Sequence, residues 1–399
     1  MNKSKIAALA VVLALAPLVV SSCGDRLVKG NNKAWMALFN TPLSTQDEPW
    51  KLVEGIRAFS PRFSVPDTIT AERKQAIALV AGGIAKGLKV EKDPMGAYFA
   101  AVDGFPAPEE HRDQFIARLT GAPTDLTFSF ITKVGEPVQL DLFVRRAMTY
   151  IDPYSMSASD ELVTGQYGNE LGWTLAAFSH SNLHKTIWRN YKNRDMGMET
   201  LLSVAISRPV NWGSYEGLIE QAGIATALRT YMVNMLDEEK SLSDAERKKD
   251  ESKKRGPAPD MRGLELKGTW DGARKHVNGV LETMRQNQNP DGTFSATWHS
   301  GKQRADNEMD AVLYTALALD FMGWAMYDDE LRDEMPRKAA KALIKSVEKL
   351  TPEILSENYF AAASAGRALR QYNDRLIALG GKAARYNPEA APDDSACCD

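Results

Sequence analysis

A glutamate beside asparagine or tyrosine, followed by an apolar helix rich in small residues, occurs four times after residue 160. The copies are Asn169-Glu170, Tyr215-Glu216, Asn307-Glu308 and Glu357-Asn358. Their glutamates are 46, 92 and 49 residues apart, and the middle interval is twice the first. Two helices with their turns take roughly 40–47 residues in known helical-pair repeats. The spacing therefore predicts helical hairpins that recur about every 46 residues.

A single hairpin of this kind cannot bury its own apolar face, so neighbouring copies must stack. Ala, Gly and Ser let helix backbones approach closely, which suits helices on the inside of an array. We therefore predict an all-α fold, an α/α toroid built from helical hairpins of about 46 residues. Parallel helices would place the four glutamates around one mouth. Chance recurrence is the alternative, because glutamate is common at helix starts.

The toroid is predicted to span residues 160–382, with a charged insertion at 237–262 that lacks apolar periodicity. That insertion is predicted to be a solvated loop or a frayed helix. Residues 34–159 are predicted to form an irregular helical portion packed on the toroid. Residues 383–399 have the composition of a disordered tail.

Within the N-terminal portion, the pattern predicts two short helices over 34–63, broken at Thr41-Pro42 and Ser60-Pro61. Apolar periodicity predicts further helices at three places, which are 70–88, 106–119 and 140–150.

Residues 126–142 are the only stretch with β character. Val134-Gly135-Glu136-Pro137 either turns a hairpin or leads directly into the helix at 140. We favour the second interpretation.

The first 22 residues have the pattern of an export signal, because the apolar run is too short to span a bilayer and small residues follow it. Val20-Ser21-Ser22-Cys23 resembles the bacterial lipobox, which implies that Cys23 is lipidated and becomes the new N-terminus. An ordinary signal peptide that contains a cysteine is the alternative. Gly24 does not match the enterobacterial signal for inner-membrane retention. We therefore expect a lipid-anchored protein of the bacterial outer membrane, facing the periplasm, with 23–33 as its tether.

Cysteine and charge exclude several classes of function. After Cys23 the remaining cysteines are Cys397 and Cys398, which excludes disulfides, cysteine-ligated metals and a thiol nucleophile from residues 24–396. The 49 basic and 52 acidic residues nearly balance, so there is no electrostatic case for nucleic acid. His180 and His184 have the i, i+4 spacing of metal ligands, but no acidic third ligand follows nearby. We expect neither a metal site nor a cofactor.

The stretch 286–327 contains a Pro-Asp-Gly turn, an aromatic loop and one of the four helices. Met284, Gln288, Gly292 and Phe294 match the spacing of the Gln-Trp repeat of squalene–hopene cyclases, with Phe in place of Trp. The segment also resembles exported bacterial proteins that carry this turn before a helix of the terpenoid cyclase/prenyltransferase toroid fold. The resemblance implies that Gln288 caps a helix end and that the aromatic ring lies on the neighbouring hairpin.

Enzymes of the toroid fold set requirements that this chain does not meet. Triterpene cyclases need an Asp-x-Asp-Asp proton donor, which residues 306–310 do not supply. Prenyltransferase β subunits and lanthionine cyclases need a cysteine ligand for zinc, and thioester domains need Cys-Gly-Glu-Gln. Glycan hydrolases, glycan lyases and binding proteins of this fold remain.

Candidate chemistry concentrates at the predicted mouth. Glycan hydrolysis needs one protonated and one ionised carboxyl group, and Asp306, Glu308 and Asp310 are the candidates. His299 is the candidate base of a lyase. Helix caps, surface charges and a hydrogen-bonded loop histidine are the structural alternatives. Ligand contacts are predicted for six further residues, which are Trp298, Arg304, Glu170, Tyr167, Tyr215 and Glu216.

The leading hypothesis is an envelope lipoprotein whose toroid mouth binds an extended ligand, a polysaccharide or a peptidoglycan strand. The alternatives are a glycoside hydrolase or polysaccharide lyase at that mouth, and a non-enzymatic scaffold in an envelope protein complex. The expected partners are a membrane, a glycan and an envelope protein. An open cavity with inward-pointing Glu308, Glu170 and Trp298 would favour a glycan. A plugged centre with those side chains facing solvent would contradict both glycan hypotheses and favour a scaffold.

Overall fold

The structure is a computed structural model that describes residues 33–378, apart from 61, 71, 103–104, 106–110, 112, 123, 125, 155–169 and 250–260. The predicted export signal, Cys23, Tyr167 and the tail at 383–399 lie outside the described residues.

The described part of the chain is mostly helical, and its strands form only short two-stranded hairpins. The helices are α1 (33–39), α2 (Pro49–Phe59), α3 (Ala76–Ala81), α4 (Gln114–Gly121), α5 (Leu140–Tyr150), α6 (Leu171–His180), α7 (Met198–Ser207), α8 (Leu218–Lys249), α9 (Gly268–Asn287), α10 (Glu308–Ala325), α11 (Glu334–Val347), α12 (Pro352–Glu357) and α13 (Tyr359–Ala378). The strands are β1 (Ser64–Pro66), β2 (Arg73–Gln75), β3 (Leu88–Asp93), β4 (Gly96–Ala101), β5 (Ser129–Ile131), β6 (Pro137–Gln139), β7 (Ile187–Arg189) and β8 (Asp195–Gly197).

The strands form four separate antiparallel pairs, β1 with β2, β3 with β4, β5 with β6 and β7 with β8. In each pair the first residue of one strand lies opposite the last residue of the other: Ser64 opposite Gln75, Leu88 opposite Ala101, Ser129 opposite Gln139 and Ile187 opposite Gly197. The prediction that 126–142 leads into a helix without a hairpin is therefore wrong, although α5 begins where expected. The predicted helix at 70–88 is also wrong, because β2 occupies its start and α3 ends at Ala81. The breaks predicted near Thr41-Pro42 and Ser60-Pro61 are confirmed.

Three of the hairpins share one turn chemistry. In these hairpins the residues directly after the first strand are Asp67, Thr132 and Asn190. The main-chain N–H of each donates across the turn to the carbonyl oxygen of Glu72, Glu136 and Arg194, respectively. The side-chain oxygen of each also accepts main-chain N–H groups of the turn. Short polar side chains of this type stabilise turns locally. A helix begins directly after the second strand in all three cases.

Six helices contact one another in cyclic order. These ring helices are α2, α4, α6, α8, α10 and α13, and α13 packs back on α2. Apart from α1, the other helices come between the ring helices along the chain and are called outer helices below; α9, for example, packs on α8 and α10. The cycle includes helices on both sides of residue 160, where the sequence predicts a domain boundary. Every residue from Thr315 to Gly323 is buried, so α10 is covered on all sides.

The backbones of α6 and α8 come very close together. A Cβ atom added to Gly172 would lie 2.4 Å from the Ile219 carbonyl oxygen, and one added to Gly223 would lie 2.3 Å from the Gly172 carbonyl oxygen. Only glycine therefore fits where the two backbones meet.

The centre of the ring is filled. A cavity of about 20 Å³ lies there, and each of the six ring helices contributes to its lining. That is room for about one water molecule. Buried charges lie beside it, with Asp320 accepting from Arg57 at 3.3 Å and from Arg367 at 3.0 Å. Arg118 forms a further buried ion pair with Glu54.

The Pro-Asp-Gly turn follows α9 and contacts a second outer helix, α11. Gln288 Nε2 donates to the Gly292 carbonyl at 3.1 Å and to the Met335 carbonyl of α11 at 2.9 Å. Gln288 is the C-cap residue of α9, and its main-chain N–H donates to the Met284 carbonyl at 2.9 Å, so the expectation that it caps a helix end is confirmed. Its side chain also ties the turn to α11. Phe294 is fully buried, and its N–H donates to the Thr315 hydroxyl of α10.

The first half of the charged insertion is helical. α8 continues without interruption to Lys249, so the segment from 237 to 249 is helix rather than loop. Among the described residues, no helix has the length and apolar character needed to cross a bilayer.

Candidate functional site

Contacts between the starts of the ring helices place these starts at one end of the ring. The Tyr215 ring, just before α8, stacks on Phe360 in the first turn of α13 with 4.8 Å between ring centres. Trp298 Nε1, in the loop that leads to α10, donates to the Glu216 carbonyl at 2.9 Å. Trp50 in the first turn of α2 lies 6.5 Å from Tyr359 between ring centres. The predicted residues near these helix starts are therefore neighbours in space.

A half-exposed surface at this end contains four of the predicted residues. His299 Nε2 lies 3.7 Å from Glu216 Oε2, and their side chains are 20% and 44% exposed. Burial raises the pKa of Tyr314, and the charges of Glu216, Asp310 and Asp306 raise it further, so these groups lie close to the phenol. Glu216, His299, Asp306, Asp310 and Tyr314 are called the rim patch below.

The loop between α7 and α8 has a strained backbone. Tyr215 and Glu216 both have φ near +52°, a region that side-chain-bearing residues seldom adopt. Gly213 and Gly217 flank them with φ of 95° and 78°. A Cβ added to Gly213 would lie 2.9 Å from Glu170 Oε1. The strain turns Tyr215 towards α13 and brings the loop onto the Glu170 carboxylate.

Glu170 is buried below that loop instead of facing a cavity. Its carboxylate accepts from the Ser214 N–H at 2.9 Å and from the Ser214 hydroxyl at 3.1 Å. His111 Nδ1 lies 3.1 Å from Glu170 Oε2, and His111 Nε2 lies 3.3 Å from the Ser214 hydroxyl. Burial raises the pKa of Glu170 to about 7, and the nearby Glu220 carboxylate also raises it. Burial lowers the pKa of His111 to about 4.

The raised pKa of Glu170 makes part of the stability depend on pH. Between its unfolded pKa near 4.5 and its folded pKa of about 7, the folded state binds the extra proton, so the free energy of unfolding falls as pH rises. Glu170→Gln removes this titration. We expect the wild type to lose on the order of 2 kcal/mol relative to the variant between pH 5 and pH 8. Urea denaturation of both proteins at the two pH values measures the difference. A difference that does not change with pH would contradict the assignment.

Several predicted site residues lie away from the rim patch. Glu308 is held by Lys349 of the loop after α11, with Nζ 3.0 Å from Oε1, and these contacts lower its pKa. Burial raises the pKa of Asp291, but hydrogen bonds from Thr293 lower it by more, and the nearby charge of Arg304 lowers it further. Trp298 is 1% exposed. Trp298 is therefore buried and Glu308 is paired with Lys349, and the catalytic role of Glu308 and the ligand contact of Trp298 stay predictions.

The fourth repeat differs from the others. Glu357 is the last residue of α12, and Asn358 separates it from α13, so it does not begin a ring helix as Glu308 does. Asn307 caps α10, since its Oδ1 accepts from the Asp310 N–H at 2.9 Å. Asp310 therefore belongs to the N-terminal cap of α10, and a helix cap was the structural alternative to a catalytic role.

Sequence reasoning missed Trp212, His111, Ser214 and Tyr314. Trp212 is 36% exposed in the strained loop, and the guanidinium of Arg208 lies 5.4 Å from its ring centre. The Trp-Gly-Ser-Tyr-Glu-Gly run at 212–217 was a usable signal, because two glycines around polar and aromatic residues mark a specialised turn.

A larger groove of about 680 Å³ lies at the opposite end, between the end of α6 and the middle of α8. Asn182, His184, Tyr231 and Asn234 contribute to its lining. His184 Nδ1 lies 3.1 Å from Asn234 Nδ2, and the Tyr231 ring stacks on Trp270. None of the predicted mouth residues lines this groove.

The described residues contain no group of three His, Cys, Asp or Glu side chains arranged to hold a metal ion. Comparison of the chain with protein-family models, with curated proteins and with solved structures found no significant match.

Proposed function

We propose that this chain is a lipid-anchored protein of a bacterial cell envelope whose rim patch binds an extended glycan strand. The observation that carries the binding role is the grouping of Glu216, His299 and Tyr314, with Asp306 and Asp310, at one end of the ring. The anchor is supported by the lipobox-like sequence Val20–Cys23.

The fold behind this proposal is an α/α toroid. Its support is the cyclic contact order of the six ring helices and the outer helices that come between them in the chain. The ring helices begin at one end, so the loops that precede them converge there. Binding residues in such a fold are carried on loops that a rigid scaffold positions.

The filled centre determines where a ligand lies. A cavity of about 20 Å³ cannot admit a sugar ring, so a glycan strand lies across the rim and does not enter the toroid. Carboxylates, an imidazole and a phenol hydrogen-bond sugar hydroxyls, and an aromatic face packs against the C–H face of a sugar. The exposed Trp212 supplies such a face in the same loop as Glu216.

The charge of the rim patch selects among glycans. Three carboxylates repel a polyuronate. We therefore propose a neutral or N-acetylated strand such as peptidoglycan. The same charge argues against the lyase hypothesis, which needs a cation beside the uronate carboxylate.

A scaffold in an envelope protein complex is the second candidate. The filled centre favours it, because a solid ring of helices can act as a spacer without binding a sugar. The two proposals differ in one result, the affinity of the isolated protein for purified cell-wall glycan.

Co-sedimentation of the detergent-solubilised full chain with peptidoglycan sacculi tests the binding role. The double variant Glu216→Gln, His299→Ala is expected to bind at least about tenfold more weakly, a loss of about 1.4 kcal/mol. Glu308→Gln is the matched control, because Glu308 lies at the same end but pairs with Lys349. Its affinity should equal that of the wild type.

Absence of binding by the wild type would contradict the glycan proposal and favour the scaffold. Equal losses in the double variant and in Glu308→Gln would contradict the role of the rim patch. In cells, the Cys23→Ser chain is expected to leave the membrane fraction; unchanged membrane association would contradict the lipid anchor.

A further inference from the structure

A group of exposed apolar side chains lies beside the hairpins β3–β4 and β5–β6. Their exposed fractions run from 36% to 79%, and the five are Ile84, Val102, Phe105, Ile131 and Val134, called the hairpin patch below. Single exposed apolar side chains are ordinary on a protein surface, whereas a group of them marks a surface that a partner covers. Glycan binding at the rim patch uses none of these residues.

The members of the hairpin patch lie around one groove of about 450 Å³. Val102 and Ile131 line the groove directly. Gly82 also lines it, and a Cβ atom added to Gly82 would lie 3.7 Å from Ile84 Cγ1. Val134 is flanked along the chain by two residues of the lining. The exposed side chains are therefore neighbours in space.

Phe105 belongs to the same surface. A Cβ atom added to Gly87 would lie 2.8 Å from its ring, and Gly87 directly precedes Leu88, a residue of the groove. The main-chain N–H of Lys133 donates to the Val90 carbonyl at 3.4 Å, which connects β5–β6 to β3–β4. The hairpin patch is therefore one surface that two adjoining hairpins carry.

Lysines surround the hairpin patch. Lys86 Nζ lies 6.0 Å from the centre of the Phe105 ring, and Lys89 and Lys133 line the groove. Lys89 pairs with Glu91 at 2.8 Å, whereas no carboxylate of the described residues forms an ion pair with Lys86 or Lys133. Exposed apolar groups beside cations suit a phospholipid surface, because the apolar groups enter the boundary with the acyl chains and the cations meet phosphates.

The position of the hairpin patch along the chain places it within reach of a membrane. The lipid anchor proposed above is at Cys23, and its tether spans at most about 35 Å. α1 packs on Phe63 through Phe39, and the Phe63 carbonyl accepts from the N–H of Ala76 at 2.8 Å. Ala76 begins α3, which is about 9 Å long and ends at Ala81, directly before the groove. One short helix therefore separates the groove from the elements that hold the tethered end.

We propose that the hairpin patch lies on the phospholipid surface that holds the lipid anchor. This inference rests on the anchor proposed above and is independent of glycan binding at the rim patch. The anchor keeps the patch near the bilayer at a high effective concentration, so the patch needs only a weak affinity of its own. Ile84 and Val134 enter the boundary between headgroups and acyl chains, and Lys86 and Lys133 contact phosphates. Docking in this way restricts how the ring is oriented on the membrane.

Photocrosslinking from lipid tests this contact on the wild-type full chain. The chain is reconstituted in vesicles of phosphatidylethanolamine and phosphatidylglycerol that contain a phospholipid with a diazirine on its acyl chain. After illumination, peptide mapping by mass spectrometry should find adducts on peptides that contain Ile84 and Val134. Trp212 is as exposed as Val102 but lies in the loop before α8, and its peptide should carry no adduct.

A pair of surface substitutions tests the residues. The double variant Ile84→Asp, Val134→Asp should lower the adduct yield in both peptides at least about tenfold, because it places carboxylates where acyl chains would lie. Both side chains are exposed, so the fold does not depend on burying them. Ile187→Asp is the matched control, because Ile187 is 72% exposed on β7, outside the patch. Its adducts should equal those of the wild type.

Wild-type adducts confined to the tether would overturn the proposal with the anchor intact, and would leave the hairpin patch to a protein partner. Equal losses in the double variant and in Ile187→Asp would also overturn it. A wild-type chain that does not sediment with the vesicles would overturn the anchor and this inference together. Sacculus binding by the rim patch is measured in detergent, so failure of the glycan role is a separate result.

Discussion

Asp320→Ala is expected to lower the free energy of unfolding by about 3–5 kcal/mol, because it leaves two buried guanidinium groups without their carboxylate. Asp320 is 4% exposed, and it accepts from Arg57 of α2 and Arg367 of α13. It therefore joins three ring helices at the filled centre. Burial lowers the pKa of Arg57 to about 9, which indicates how poorly this site solvates a cation.

Urea denaturation of Asp320→Ala and wild type measures this loss. Asp195→Ala is the matched control, because Asp195 pairs with Arg189 on an exposed hairpin and such pairs contribute at most about 1 kcal/mol. A loss in Asp320→Ala no larger than that in the control would contradict the packed, charged centre.

Gly223→Ala is expected to cost about 3 kcal/mol, the upper end of the usual range for overpacking. The added Cβ would lie 2.3 Å from the Gly172 carbonyl oxygen, and that oxygen belongs to a helix backbone that cannot rotate away. α6 and α8 must therefore move apart, which disturbs the ring where their backbones meet.

Gly279→Ala in α9 is the control for this substitution. Nothing lies within 4 Å of the position of its added Cβ, so the variant is expected to gain about 0.5–1 kcal/mol from helix propensity. Thermal or urea denaturation of both variants separates the two effects. Equal stability changes would show that α6 and α8 do not approach as described.

The recurrence of glutamate before small-residue helices predicted part of this fold. Glu170 and Glu308 do stand at the starts of ring helices, and the close contact of Gly172 with Gly223 explains the small-residue content. Glu357 matched the sequence pattern, but it does not stand at the start of a ring helix. The ring helices α2 and α4 lack the signature, so the sequence could not reveal six members in the cycle.

The short hairpins were missed for a local reason. Strands of three residues, such as Ser129–Ile131, carry too little alternation to distinguish them from a loop. Their signal is in the turns at Asp67, Thr132 and Asn190, where one polar side chain holds the main chain. A single turn of this kind is not distinctive in the sequence, and the signal is visible only when the three turns are compared.

The contacts between His111, Ser214 and Glu170 could not be predicted from the sequence for a different reason. His111 and Ser214 are separated by 103 residues, and no spacing rule relates them. Tertiary packing of α4, α6 and α8 brings them to Glu170. The rim patch was partly predictable, because Asp306, Asp310 and His299 are close in sequence and Glu216 comes just before a ring helix, α8.

Hydrogen–deuterium exchange of the full chain, with and without soluble peptidoglycan oligosaccharides, tests the binding role most directly. The account predicts slower exchange in residues 208–217 and 297–314, which carry the strained loop and the rim patch, and unchanged exchange in the groove beside Tyr231. No protection in either segment, or protection confined to that groove, would contradict it.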